Sequence, residues 1–256
     1  MSQTDYAGLY RLDGRKALVI GGYGGIGDPT VRLLAAQGAA VAIAGRSIDK
    51  AKALADDLPN AVGLRLDVTD RTSIEQGVAE AASGMGGLDI VVNMAGSLIE
   101  GAAAEFADDD WDAVLSSNLT GAFQVSRAAA PHLFASEAGR LIHISSVRSV
   151  TGGRRGFVAY AAAKAGLNNM VRQLATEWGG RGVTVNAVAP GFVRSDITAE
   201  VAQDEGFMRM VVGRIPMGRI AEAVEVAGAI GFLASPAAGF MNGQILFVDG
   251  GVTASQ

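Results

Sequence analysis

The feature that most constrains this chain is a rhythm of short apolar runs alternating with longer stretches of helical spacing. Ala17-Leu18-Val19-Ile20 is followed by a helical pattern near 26–37, then Val41-Ala42-Ile43-Ala44, then a second helical pattern near 49–57. Parallel strands cannot be joined by tight turns; they need crossovers of a dozen or more residues, usually helical, that pack back onto the sheet. The same reading places strands at 62–66, 90–93, 141–145, 183–188 and 245–248, and helices over 71–83, 109–136, 158–178 and 222–234. The expected fold class is therefore α/β, a doubly wound parallel sheet of seven strands with helices on both faces. With 256 residues and 49% hydrophobic side chains, one core suffices. The expectation is a single domain over 1–256, with a polar N-terminal arm at about 1–11. The least regular stretch, about 190–218, reads as a lid-like segment.

Charge narrows the partners. A formal net charge of −5 offers no basic footprint for a phosphate backbone, so no nucleic acid is expected. Cysteine is absent, which removes disulfides, thiolate ligands and thiol nucleophiles. The two histidines, His132 and His143, have no ligand-like neighbours, so no metal is expected. Glycines and charges interrupt the apolar stretches before the ~20 residues a membrane span needs. The first residues lack the apolar core of a signal peptide. The reading is a cytoplasmic protein acting on a small molecule, with no membrane partner.

Gly21-Gly22-Tyr23-Gly24-Gly25-Ile26-Gly27 follows the first strand and opens the first helix. Glycines there let the backbone turn tightly and approach a pyrophosphate, while the helix start supplies free N–H groups and partial positive charge. Pro29 is at home in a first helical turn. At the end of the second strand, where a doubly wound fold reads the adenosine ribose, stand Gly45, Arg46 and Ser47. An acidic residue would accept from a 2′-hydroxyl and repel a 2′-phosphate; glycine followed by arginine favours the phosphate, and so NADP(H) over NAD(H). Asp67, followed by Val68, can accept from the adenine amino group. Asn93-Met94-Ala95-Gly96 ends the fourth strand, where the strand order should reverse and ligands bind.

Tyr160 and Lys164, four residues apart near the start of a long apolar helix, share one helix face. A free tyrosine titrates near ~10, so base catalysis at neutrality needs its phenolate stabilised by roughly 4 kcal/mol. A lysine cation and an oxidised nicotinamide can supply that. Ser145 and Ser146 end the preceding strand, where a hydroxyl can hold a substrate carbonyl against the phenol. Asn118, in the long helix before that strand, can bind a water linking Lys164 to solvent.

These residues together resemble the short-chain dehydrogenase/reductase family, from about Leu12 to Gly251. The resemblance is carried by the Gly21 to Gly27 turn, Asp67-Val68, Asn93 with Ala95-Gly96, Asn118, Ser145-Ser146, Tyr160 with Lys164, Asn186, Pro190-Gly191 and Val248-Asp249-Gly250-Gly251. It implies a Rossmann-type domain with strand order 3-2-1-4-5-6-7, hydride transfer to or from nicotinamide, and a homotetramer paired through long helices. By the same resemblance Ser146 orients substrate, Tyr160 transfers the proton, Lys164 also holds the nicotinamide ribose and Asn118 carries a water relay. Pro190, Gly191, the backbone of Val193, and Ser195 would surround the carboxamide. Ile20 and Met94 depart from the family pattern, which has threonine and asparagine there, and Gly24 lacks the basic side chain of many NADP-dependent relatives.

Arg148, Arg154 and Arg155 crowd the loop between the serines and Tyr160, more cations than an acidic chain leads one to expect. Together with the Gly243 to Gly251 ending, the run resembles the gluconate 5-dehydrogenase-like branch. That resemblance implies a keto-sugar acid such as 5-keto-gluconate, with Arg148 the first carboxylate partner and Arg154 the next. A 3-oxoacyl-thioester or general ketone reductase of the same family is the alternative. A noncatalytic dinucleotide sensor would not need Asn118, Ser146, Tyr160 and Lys164, and an epimerase would have a longer chain.

Overall fold

A computed structural model describes residues 5–153, 156–194 and 204–255, with the side chains of Glu205 and Phe207 outside that description. In chain order the elements are β1 (Lys16–Ile20), α1 (Gly27–Ala36), β2 (Ala40–Gly45), α2 (Ile48–Asp56), β3 (Ala61–Arg65), α3 (Arg71–Met85) and β4 (Ile90–Asn93). There follow α4 (Asp108–Leu115), α5 (Gly121–Ala135), β5 (Arg140–Ile144), α6 (Val158–Trp178) and β6 (Thr184–Pro190). The last part holds β7 (Val193–Arg194), α7 (Glu205–Val212), β8 (Ala221–Glu222), α8 (Ala223–Ala234) and β9 (Ile245–Val248).

The seven-stranded sheet runs β3-β2-β1-β4-β5-β6-β9, with every pair parallel. This is the Rossmann-type order expected, β9 being the seventh strand of the sheet. Because side chains alternate across a strand, each strand feeds two cores. Leu18, Ile20, Val91 and Leu141 pack on one face with α3, α5 and α6. Val19, Ile43, Val92 and Ile142 pack on the other with α1, α2 and α8. Burial on both faces explains why the strands read as continuous apolar runs. The chain leaves β1 toward β2 and β3, and returns at β4 on the other side. The crevice at that reversal, outside the strand C-termini, is where a ligand fits.

Two features differ from the sequence reading. The helix expected over 109–136 is two helices joined by a π turn at Ser116–Thr120. Such a turn adds a residue without disturbing the apolar pattern, so periodicity does not reveal it. The lid-like stretch contains regular structure, because β7 pairs in parallel with β8 and α7 lies between them.

His143 on β5 is fully buried with Nε2 3.0 Å from the Ser126 hydroxyl. Burial, reinforced by the charge of Lys164, lowers its pKa to about 3. The folded protein therefore keeps this imidazole neutral while the unfolded chain protonates it. The stability this contributes is complete above the unfolded value of 6.5 and is lost as pH falls toward about 3. Between pH ~7 and ~4.5 the wild type should lose ~3 kcal/mol more than His143→Leu. Urea unfolding at both pH values checks this; equal losses would refute it.

Candidate active site

At the C-terminal edge of the sheet, β5 runs into Ser145 and Ser146, and the geometry separates the two. Ser145 is buried and donates to Asn168 Oδ1 at 2.6 Å. Ser146 accepts from the Arg148 amide at 3.1 Å, and its hydroxyl stands close enough to the Tyr160 phenol to lower the phenol's pKa. Tyr160 lies in the first turn of α6 with Lys164 one turn on and Asn168 one turn further. Asn168 was not foreseen, although the i, i+4, i+8 spacing marks it; its amide also donates to Ser149 Oγ at 2.7 Å and pins the serine turn.

Lys164 is 4% exposed, and its Nζ donates to the Ile144 carbonyl at 2.8 Å. Burial lowers its pKa to about 8. Nζ lies 5.5 Å from the centre of the Tyr160 ring. Burial holds the phenol above its ordinary value, while the Ser146 hydrogen bond and the Arg148 charge pull it partly back. Desolvation disfavours the phenolate more than the surrounding groups favour it, so the protein without cofactor holds a protonated phenol at neutral pH.

The π turn places Asn118 against the β4 loop. Its amide nitrogen donates to the carbonyls of Ser97 at 2.7 Å and Val114 at 2.9 Å. Its Oδ1 is buried and accepts no hydrogen bond among the described residues. A Cβ on Gly96 would collide with that oxygen and stand 3.6 Å from Lys164 Nζ. Asn118, Gly96 and Lys164 are therefore brought together.

At the dinucleotide end, Gly27 begins α1 where any side chain would strike the Gly21 carbonyl and the Gly22 backbone. The loop therefore folds tightly over the helix N-terminus, with Gly24 exposed and Gly25 and Ile26 half-buried. Despite Ile20 and Met94, the central strands stay tied by backbone, Met94 N donating to Ile20 O at 2.9 Å, while Asn93 Oδ1 accepts from Ala95 N at 3.2 Å and shapes the loop after β4. Tyr23 reaches across to the end of β2, where its hydroxyl accepts from Ser47 N at 2.9 Å. A Cβ at Gly45 would lie 2.5 Å from the Tyr23 ring. With the tyrosine so placed, an acidic side chain has no room at position 45. Arg46 beside it is exposed, and Ser47 caps α2.

Asp67 accepts from the Thr69 amide at 3.0 Å and hydroxyl at 2.8 Å. The Thr69 amide bond is the main cause of its lowered pKa, so it stays ionised. Val68 beside it is buried. Pro190 ends β6, Gly191 N donates to Val248 O at 3.0 Å, and Val193 is buried in β7. Ser195, Arg154 and Arg155 lie outside the described residues.

Beside Ser146, a cavity of about 350 Å3 is lined by Val147, Arg148, Gly152, Gly153, Phe192, Arg214 and Val252. The Arg148 guanidinium donates to Gly152 O at 2.7 Å and stands 5.3 Å from the Phe157 ring centre and 6.0 Å from that of Phe192. Burial lowers its pKa, and the charge of Arg214 adds to this. Arg214 escapes sequence reasoning because it comes from the lid-like segment, far along the chain. Among the described residues no cluster of His, Cys, Asp and Glu could hold a metal, and no helix is long and apolar enough to cross a membrane.

Residues 21–253 match the protein family described as enoyl-(acyl carrier protein) reductase. The chain is 37% identical over 260 residues to the gluconate 5-dehydrogenase of Gluconobacter oxydans, covering 100% of both. It is 39% identical over 242 residues to the 3-oxoacyl-(acyl-carrier-protein) reductase FabG of Escherichia coli, covering 94% of this chain and 98% of the other. A gluconate 5-dehydrogenase from Burkholderia cenocepacia, solved with NADP and tartrate, superposes with a TM-score of 0.91 at 36% identity, over 96% of this chain and 98% of the other.

Proposed function

The chain belongs to the short-chain dehydrogenase/reductase family and is an oxidoreductase, and from that premise we propose an NADP(H)-preferring enzyme that interconverts a keto-sugar acid, such as 5-keto-gluconate, and its hydroxy acid. The observation that carries this is the arrangement at the end of β5. A phenol beside Ser146 stands over a buried lysine, and a partly buried arginine two residues beyond that serine faces a ligand-sized cavity.

The loop and the β2 end suit NADP(H). Tyr23 accepts from Ser47 N, which leaves its own O–H free to donate to a 2′-phosphate. Arg46 supplies charge at the same place, and α2 begins there. Gly21, Gly24, Gly25, Ile26 and Gly27 would face the pyrophosphate, and Asp67 and Val68 the adenine. Asn93, Ala95 and Gly96 would line the ribose side, with Pro190, Gly191, Val193 and Ser195 around the carboxamide. When bound, the nicotinamide supplies or accepts the hydride.

The chain's own groups do the rest. Ser146 donates to the carbonyl oxygen and fixes it beside Tyr160, whose phenol gives up its proton in reduction and takes one back in oxidation. Lys164 holds positive charge beneath the phenol and can hold the nicotinamide ribose. The buried Asn118 Oδ1 can accept from a water that returns the proton from solvent. Arg148 receives the carboxylate, with Arg154 as a second contact. We place the enzyme in the cytoplasm as one domain per chain and a homotetramer.

Two of the relatives' names bear on the substrate. Gluconate 5-dehydrogenase names a sugar acid, and the Burkholderia protein was solved with tartrate, itself a hydroxy acid. The Escherichia coli relative acts on a 3-oxoacyl group, so an acyl-thioester ketone is the second reading. NADPH consumption with 5-keto-D-gluconate, L-sorbose (the same ketone with CH2OH in place of the carboxylate) and acetoacetyl thioester separates these. Strong preference for the acid is expected, and preference for the thioester would replace this reading.

Cofactor choice has its own test. Arg46→Ala should weaken NADPH by about 1–3 kcal/mol, roughly 5- to 150-fold, and leave NADH nearly unchanged. Fluorescence titration of both cofactors reads this directly. Equal losses would remove Arg46 as the discriminator.

A further inference from the structure

Arg148 is not the only cation in the cavity beside Ser146. Arg214, just beyond α7, lines it from the opposite segment of the chain. Among the described residues the remaining lining comprises Val147, Phe192, Val252 and two glycines, with no carboxylate. Among the described residues the Arg214 guanidinium has no hydrogen bond or ion pair, although the residue is half-buried. Among the described residues the Arg148 guanidinium has one hydrogen bond, to the Gly152 carbonyl, and its charge is opposed by that of Arg214.

Two half-buried like charges in an apolar cavity are unfavourable for the empty protein. Several exposed arginines of this chain are paired, Arg32 with Asp28 and Asp57, Arg71 with Glu75, and Arg219 with Glu225. Leaving two unpaired in one small-molecule-sized cavity makes sense where an anion completes the site. A carboxylate has two oxygens and about four acceptor positions, enough for both guanidinium groups, and charge-assisted bonds to each are the strong kind.

We propose that Arg214 is the second half of a two-arginine grip on the substrate's carboxylate, reaching it from the turn just beyond α7, opposite Arg148. This rests on the keto-acid reading above and adds to it a residue, a geometry and a consequence. The consequence is that Arg214 discriminates for an anionic over an uncharged substrate.

The test titrates the enzyme–NADPH complex with D-gluconate and with uncharged D-glucitol, following nicotinamide fluorescence, in wild type, Arg148→Ala, Arg214→Ala and Arg214→Gln. Gluconate should bind the wild type at least tenfold more tightly than glucitol does. Both Arg214 variants should lose about tenfold or more for gluconate and nothing for glucitol, with NADPH affinity unchanged as the check on folding. Arg214→Lys should recover part of the loss. In the double variant Arg148→Ala/Arg214→Ala the losses should not multiply, because both groups serve one carboxylate. Selective loss in Arg148→Ala with none in the Arg214 variants overturns the two-arginine grip and leaves the keto-acid reading intact. Equal binding of gluconate and glucitol by the wild type overturns both.

Discussion

Tyr160→Phe should bind NADPH within about twofold of wild type while its turnover falls by ~10²-fold or more. The ring is half-buried at the start of α6 with Lys164 Nζ 5.5 Å from its centre, and phenylalanine preserves that packing. What it removes is the one transferable proton beside Ser146. The pH dependence follows from the direction of the shifts. Burial holds the phenol above its ordinary value, so it is protonated through the neutral range and ready to donate in ketone reduction. Lys164 has a pKa of about 8, so kcat/KM for reduction should be level below that value and fall above it. Alcohol oxidation needs the phenolate and should instead rise with pH. The paired profiles, measured for wild type and Tyr160→Phe, are the check. Turnover in the phenylalanine variant within a few-fold of wild type would remove Tyr160 from the proton transfer.

The sheet was legible because its signals are local. The continuous apolar runs of β1, β4 and β5 and the apolar stripe of α6 are each read within a few residues, and the runs are continuous because both faces of the sheet are covered. The i, i+4 relation of Tyr160 and Lys164 is equally local. Contacts between distant segments were not legible. Tyr23 reads as one more residue of a glycine-rich turn until its hydroxyl is found on Ser47 and its ring against Gly45. Nothing near Arg148 in the chain announces Arg214. The π turn at Ser116–Thr120 leaves helical spacing intact on either side, yet it sets Asn118 against Gly96 and Lys164. The resemblance singled out Ser146, but the physical difference between the adjacent serines shows only in three dimensions, where one turns to Asn168 and the other lies beside the phenol.

Lys164→Met should abolish turnover to a similar degree, ~10²-fold or more, yet it should not weaken the fold at neutral pH. Its folded-state pKa of about 8 lies below the ordinary 10.5. The unfolded chain therefore binds more protons than the folded one between those values, and stability should rise with pH across that window. Below pH ~8 the full penalty applies, ~3 kcal/mol for two to three pKa units. Methionine has a similar length and removes that penalty, but it leaves the Ile144 carbonyl, now 2.8 Å from Nζ, without its donor, at ~1–3 kcal/mol. The two effects nearly cancel at pH ~7. At pH ~10.5 the wild-type lysine is largely neutral and still donates to Ile144, so the wild type should then be the more stable by ~1–3 kcal/mol. Urea unfolding at the two pH values, with turnover measured alongside, separates the roles. A loss of several kcal/mol at neutral pH would mean that the lysine is kept for the fold. Parity at neutral pH with turnover gone would mean that a buried charge is maintained against its own desolvation because Tyr160 needs it.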